Sequence, residues 1–255
     1  MLAIERRNEI LEKIQTDGRV VVSELSQHYQ VSEETIRRDL EKLDNEGLVT
    51  KSYGGAVLNE SVNVDLPFNV RKNTNVVGKQ KIATLIKELV CDEERLILDA
   101  STTAIFIAKE LKERQRLSII TNSIEVLMEL FDVEDWRVIS TGGMAKAGSF
   151  ALVGPQTDKM LRSYHVDKAI ISCKGLDLVE GLSDSDDLHA HSKKVMLDVA
   201  VEKILAVDST KFGKRAFAQI GKLSDVTKIV TDKRPDDEWL KLFDDKKIEC
   251  IYPEE

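Results

Sequence analysis

The residues best placed to do chemistry in the first part of the chain are Ser32, Thr35, Arg37, Arg38 and Lys42. At about 100° per residue of helix, Thr35, Arg38 and Lys42 share one narrow arc, roughly opposite Ile36, Leu40 and Leu43. Such a helix suits the major groove, where an arginine fork bridges guanine O6 and N7 while hydroxyls contact phosphates or bases. Arg38 is then the leading base reader. Arg37 lies at the edge of the apolar stripe, where a phosphate contact and an ion pair with a neighbouring acid are equally open. Arg6, Arg7, Lys51 and Tyr53 are candidates to hold the DNA backbone, and Gly54 with Gly55 would let a wing turn tightly. The competing reading is a helical bundle that serves protein association and whose basic residues are only solvated.

A second group lies further on, in loops rich in hydroxyls and glycine: Asp99-Ala100-Ser101-Thr102-Thr103, Thr121-Asn122-Ser123 and Thr141-Gly142-Gly143. Each follows an apolar, β-like run. In open α/β sheets ligands bind outside the carboxyl ends of the strands, where loop N–H groups leading into a helix suit an anion such as phosphate. Lys174 and Lys211 occur at comparable strand ends and would offset such a charge. The alternative is that these loops are only tight connections. Asp99, Asp184 and Asp186 are carboxylates able in principle to move a proton beside a carbonyl. With no Walker loop and no nucleophile-base motif, sensing rather than catalysis is the expectation. His189 and His191, two apart, do not share a helix face, and neither a metal nor a cofactor is expected.

The elements that must position these groups are legible. Ile4, Ile10, Leu11 and Ile14 predict a first helix ending at Asp17-Gly18. The run Val20, Val21, Val22 leads to Ser23, a suitable N-cap for a short second helix, and Ser32 can cap a third that Gly47 stops. Leu48, Val49 and Thr50 then read as extended, with a turn and return strand around Gly54 and Gly55. Residues 58–75, containing Pro67, lose periodicity and read as a linker between a winged helix-turn-helix over 1–57 and an α/β domain over 76–255. In the latter, strands are expected at Leu96–Leu98, Ser118–Ile120, Arg137–Ile139, Lys168–Ser172, Ile204–Val207, Lys228–Val230 and Glu249–Tyr252. Helices are expected at Ile105–Leu111, Ile124–Leu130 and near Lys193–Ala200. The fold class is α/β, with a mainly parallel sheet.

Composition constrains less. A net charge of −8, with eight Lys/Arg against twelve Asp/Glu in residues 1–60, gives no global nucleic-acid signal. A DNA contact must therefore rest on where a few basic residues point. Cys91, Cys173 and Cys250 form no CxxC pair, no apolar stretch is long enough to span a bilayer, and the N-terminus lacks a signal-peptide pattern. The cytoplasm is the expected compartment.

ERRNEILEKI, SELSQHYQVSEETIRRDLEKLDNEGLV and YGGA resemble the signature of the DeoR family of bacterial sugar-metabolism regulators. The resemblance implies DNA contact by Ser32, Thr35, Arg37 and Arg38. It extends over Arg71 to Asp232 through Lys79, DASTT, TNS, LVGP, VDKAIIS and DSTKFG, and implies a phosphosugar-isomerase-like fold. It also implies an effector site drawing on Lys79 and the strand-end loops. Operator DNA, a phosphorylated sugar and a homodimer or homotetramer are the implied partners, with repression relieved by ligand. This chain departs from the family pattern at three places. Lys51-Ser52-Tyr53 precedes the wing glycines in place of an arginine and an imidazole, Ser101 replaces a glycine, and His189 stands where a glutamate is usual.

Overall fold

The computed structural model describes residues 2–45, 48–58 and 68–254. Helix α1 (Ala3–Asp17) ends on Gly18, whose φ of 77° lets its N–H return to the Ile14 carbonyl. Strand β1 (Arg19–Val21) follows, then α2 (Val22–Tyr29). Ser23 is the expected cap of α2 and does not serve as one: the helix starts two residues earlier, from an extended Val21 without a side-chain cap. Two backbone ties explain the shift. Val21 pairs with Gly55, and the Val22 N–H donates to the Gly54 carbonyl at 2.8 Å.

Gln30, at φ 53°, turns the chain into α3 (Glu33–Asn45). The expected cap is present here, as Ser32 Oγ accepts the Thr35 N–H at 3.2 Å. Strands β2 (Val49–Ser52) and β3 (Gly55–Leu58) form the wing, in a sheet ordered β1-β3-β2. Ile10, Leu11, Ile14, Leu25, Ile36, Leu40 and Leu43 close the core beneath it. Gly47 and Pro67 lie outside the described residues. The segment read as a linker carries helix α4 (Phe68–Asn73) at its end, and Val70 joins this same core. Contacts divide the chain into compact units over Met1–Thr74 and Asn75–Glu255.

The second unit opens with α5 (Val76–Glu88), β4 (Arg95–Leu98), α6 (Thr102–Leu111), β5 (Ser118–Thr121), α7 (Ile124–Leu130) and β6 (Arg137–Ser140). A hairpin of β7 (Met144–Lys146) and β8 (Ala151–Val153) leads to α8 (Pro155–Leu161) and β9 (Val166–Ile171). Then come β10 (Gly175–Asp177), β11 (Gly181–Asp184), α9 (Asp187–Asp198) and β12 (Ala200–Ala206). The unit ends with β13 (Ala218–Gly221), β14 (Lys228–Val230), α10 (Asp237–Asp245) and β15 (Glu249–Ile251). Seven strands pair in parallel in the order β15-β14-β12-β9-β4-β5-β6, and β10-β11-β13 form a small antiparallel sheet.

The central strands are buried on both faces, so Leu96, Ile97 and Leu98 read as a continuous apolar run rather than an alternation. Helix α9 starts before the expected Lys193, because Asp186 caps it by accepting the Leu188 and His189 N–H groups. It ends before Ala200, which pairs instead with Val166. Among the described residues no helix is long and apolar enough to cross a membrane.

The glycine pair of the wing divides its work. Gly54 holds φ 86° in the turn, whereas Gly55 lies in β3 and owes its identity to space: a Cβ there would stand 2.0 Å from the Val20 carbonyl oxygen. Gly55→Ala is therefore expected to destabilise the N-terminal unit by about 1–3 kcal/mol. Thermal and urea unfolding followed by circular dichroism check this, and an unchanged midpoint would contradict the packing described.

Candidate nucleic-acid and effector sites

The third helix presents the arc its sequence implies. Ile36, Leu40 and Leu43 are buried on one side, while Arg38, Lys42 and the partly buried Thr35 face outward. Ser32 Oγ and Thr35 Oγ1 are 2.9 Å apart at the start of the helix, where an anion also meets the positive end of the helix dipole. Arg37 pairs with Glu33 at 2.6 Å, the ion-pair alternative for that residue, and Arg38 approaches Glu34 at 3.4 Å. Both are exposed i,i+4 pairs worth only a few tenths of a kcal/mol, so either guanidinium is readily released to a stronger acceptor. In the wing, the Lys51 N–H donates to Asp44 Oδ1 at 3.1 Å, tying β2 to the end of α3. Tyr53 projects from the turn, fully exposed.

Arg6 departs from expectation. It is buried, with Nε 2.6 Å from Asp39 Oδ2, so its guanidinium is turned into the protein and not toward a phosphate. Arg7 reaches the same carboxylate at 3.4 Å from a less buried position. Gly55 likewise belongs to the wing sheet and not to its tip.

In the second unit the strand-end groups lie along one edge of the sheet. Asp232 follows β14, Asp208 follows β12, Ser172 follows β9, Asp99 follows β4, Asn122 follows β5 and Thr141 follows β6. At the centre sits a charge cluster that the sequence reading did not assemble. Lys193 Nζ, from α9, donates to Asp184 Oδ2 at 2.6 Å and to the Ser172 carbonyl at 2.8 Å, and lies 3.3 Å from Asp99 Oδ2. Asp99 also accepts the N–H groups of Ser101 and Ser172. Burial disfavours the Lys193 ammonium, but Asp184 and Asp99 together raise its pKa above the ordinary value. Burial pushes the Asp184 carboxyl up, and the Lys193 charge and hydrogen bond overcome this to hold it at about 2. Lys193 could have been suspected from sequence, since it follows Ala190 by three and precedes Leu197 by four on the buried side of α9.

Several expected effector contacts are committed to the fold. Thr121 Oγ1 donates to the Leu98 carbonyl and accepts the Ser123 N–H. Ser123 caps α7 and Ser101 caps α6, each accepting a backbone N–H. Thr102 and Thr103 are buried in the first turn of α6. Asn122 Nδ2 holds the Leu152 carbonyl, while its buried Oδ1 has no hydrogen-bond partner. Gly142 and Gly143 take φ of 62° and 115°, and Thr157 Oγ1 donates to the Gly142 carbonyl at 2.7 Å.

The lysines gather at the other side. Lys211 Nζ is 4.0 Å from Asp208, Lys79 is buried with Nζ 5.9 Å from the Phe106 ring centre, and Lys174 is half-buried beyond β9. The Asp208 carboxyl is raised by burial but held below its usual range by Lys211 and Thr210. Strand β12 is separated from β6 by four strand spacings, about 19 Å. Lys211 and the Gly142-Gly143 turn therefore follow strands four places apart in the sheet.

The hairpin β7–β8 is clasped to α9 by Lys146 and Asp186 at 2.8 Å. His189 is buried nearby, where burial and then the Lys193 charge push its imidazole below the ordinary value. His191 is exposed, 3.4 Å from Asp158. Among the described residues no group of three or more His, Cys, Asp or Glu is arranged to hold a metal.

The cluster has a pH signature. The Asp184 carboxyl is more acidic folded than its ordinary value of 3.8, so its contribution to stability is full above that pH and is lost as pH falls toward 2. Asp184→Asn should flatten this part of the acid-unfolding profile, read by the fluorescence of the two tryptophans, Trp136 and Trp239. Lys193→Met, which leaves two buried carboxylates without a counter-charge, should cost about 3–5 kcal/mol near neutral pH. A loss below 1 kcal/mol would show the cluster to be dispensable.

Comparison with known proteins agrees with this division. Residues 6–62 match the DeoR-like helix-turn-helix domain and residues 74–233 the DeoR C terminal sensor domain. An uncharacterised HTH-type transcriptional regulator, YulB of Bacillus subtilis (strain 168), is 42% identical over 97% of this chain and 96% of its own. The glycerol-3-phosphate regulon repressor of Escherichia coli (strain K12) is 30% identical over 98% of both. Among solved structures, ribose 5-phosphate isomerase A of Methanocaldococcus jannaschii aligns with 55% of each chain at 21% identity and a TM-score of 0.42, a likeness too distant to bear on activity. Matched in order by both domains and nearly end to end by these regulators, the chain belongs to the DeoR family of transcription regulators.

Proposed function

We infer that this chain is a repressor of a carbohydrate operon, its N-terminal unit binding operator DNA and its C-terminal unit binding a phosphorylated sugar that releases the DNA. The observation that carries the reading is the outward arc of Thr35, Arg38 and Lys42 on a helix whose other side is locked into the core. That geometry offers a guanine-reading fork to the major groove. Ser32, Arg37, Arg7, Lys51, Tyr53 and Gly54 supply backbone contacts and a wing. A sugar phosphate suits the lysines beyond β9 and β12, and the Escherichia coli relative is named for a phosphate ester. The chain senses and does not turn its ligand over, because Asp99 is held by Ser101, Ser172 and Lys193 and presents no free base. It works in the cytoplasm as a homodimer or homotetramer, which places two winged helices on repeated half-sites.

Ligand control then needs differential affinity: the sugar phosphate must bind the DNA-released arrangement more tightly, since equal affinity shifts nothing. Footprinting on DNA upstream of its own and adjacent genes is expected to show protected repeats. Arg38→Ala should lose about 1–3 kcal/mol of discrimination at one base pair, while random duplex binds nearly as before. Unchanged specificity would remove Arg38 as the reader. Titration of pentose, hexose and glycerol phosphates into the operator complex should release DNA with one of them, which is recovered unchanged. Lys211→Ala should raise the concentration required at least tenfold. Release by a ligand that is insensitive to this substitution would move the anion site elsewhere.

A further inference from the structure

Asp39 is a buried acid on the helix that turns Thr35, Arg38 and Lys42 outward, and contact with DNA does not by itself require it. It is 4% exposed and lies among Ile36, Leu40 and Leu43. On the helical wheel it stands about 40° beyond Thr35, at the border between the outward arc and the apolar stripe. A carboxylate withdrawn from water needs a compensating charge. Helix α1 supplies two, Arg6 Nε at 2.6 Å from Oδ2 and Arg7 Nη1 at 3.4 Å from Oδ1.

The apolar contacts around Asp39 are non-directional, whereas these charge-assisted hydrogen bonds are not. A rotation of α3 by about 20° about its axis would move a side-chain tip by about 2 Å. That is enough to part Arg6 from Asp39 and to carry Arg38 off the two acceptors of a guanine edge. We propose that Asp39, gripped by Arg6 and Arg7, is a positioning residue that sets the rotation of α3, and through it the sequence discrimination of Arg38, without touching DNA. This rests on the DNA-binding reading of the N-terminal unit. The competing role is purely structural, and the two separate because buried ion pairs exchanged for apolar residues of similar size often leave stability unchanged.

The test uses the full chain and the variant Arg6→Met/Asp39→Leu. Three quantities are measured at one salt concentration: the thermal midpoint, the Kd for the footprinted operator, and the Kd for a random duplex of equal length. The expected result is a midpoint within a few degrees of wild type, a random-duplex Kd within about twofold, and an operator preference at least fivefold lower. A folded variant with a smaller loss of preference overturns the proposal. So does an equal loss on both duplexes, and so does a variant that fails to fold, since each shows the cluster serving the fold or the backbone contact alone. Wild-type chain lacking any operator preference fails the underlying DNA reading instead, and that measurement comes first.

Discussion

The ammonium of Lys193 is the interaction around which the sensing unit is organised. One side chain from α9 reaches β9 through the Ser172 carbonyl, β11 through Asp184 and β4 through Asp99. A buried cation held by two hydrogen bonds and a further carboxylate at 3.3 Å tolerates little displacement, because any acceptor lost leaves charge stranded at low polarity. The strand ends of β4 and β9 are thereby held in register with the loop into α6 and with the start of α9. The loops that would meet a ligand hang from this cluster and owe their shape to it.

The first unit uses the same device with the signs reversed. There an anion, Asp39, is buried and two arginines of α1 converge on it. Each unit thus holds a compensated buried charge beside a polar surface: Asp39 borders the arc of Thr35, Arg38 and Lys42, and Lys193 lies at the polar sheet edge. Apolar packing alone gives stability without fixing orientation, and recognition of a base edge or a phosphate requires orientation to within a fraction of an ångström.

The sheet edge is not uniform. On the β5 and β6 side its hydroxyls and glycines are absorbed by caps and turns, as Thr121, Ser123 and Thr157 show. On the β9 and β12 side lie Lys174, Lys211 and Lys79, with Asp208 as a shared carboxylate neighbour of the last two. The lysine side chains are therefore concentrated at one end of the edge. After β5 the buried Oδ1 of Asn122 has no hydrogen-bond partner.

The sequence by itself determined the three N-terminal helices, the wing, the seven parallel strands and the helices α6, α7 and α9, but not α4, α5, α8, α10, the hairpin β7–β8 or the strands β10, β11 and β13. Helical spacing in Ile10, Leu11, Ile14 and in Ile36, Leu40, Leu43, the Ser32 cap, and the continuous apolar runs of the parallel strands are local patterns with local causes. It also determined which face of α3 is outward, since a wheel needs no partner. Tertiary structure alone decided where α2 begins, because that depends on pairing with a wing about thirty residues away. It turned Arg6 inward, gave Gly55 its steric reason, and assembled Asp99, Asp184 and Lys193 from three separate segments. A charged side chain looks the same in sequence whether it faces water or a buried counter-ion. Only the distance to its partner, fixed by the path of the intervening chain, tells the two apart.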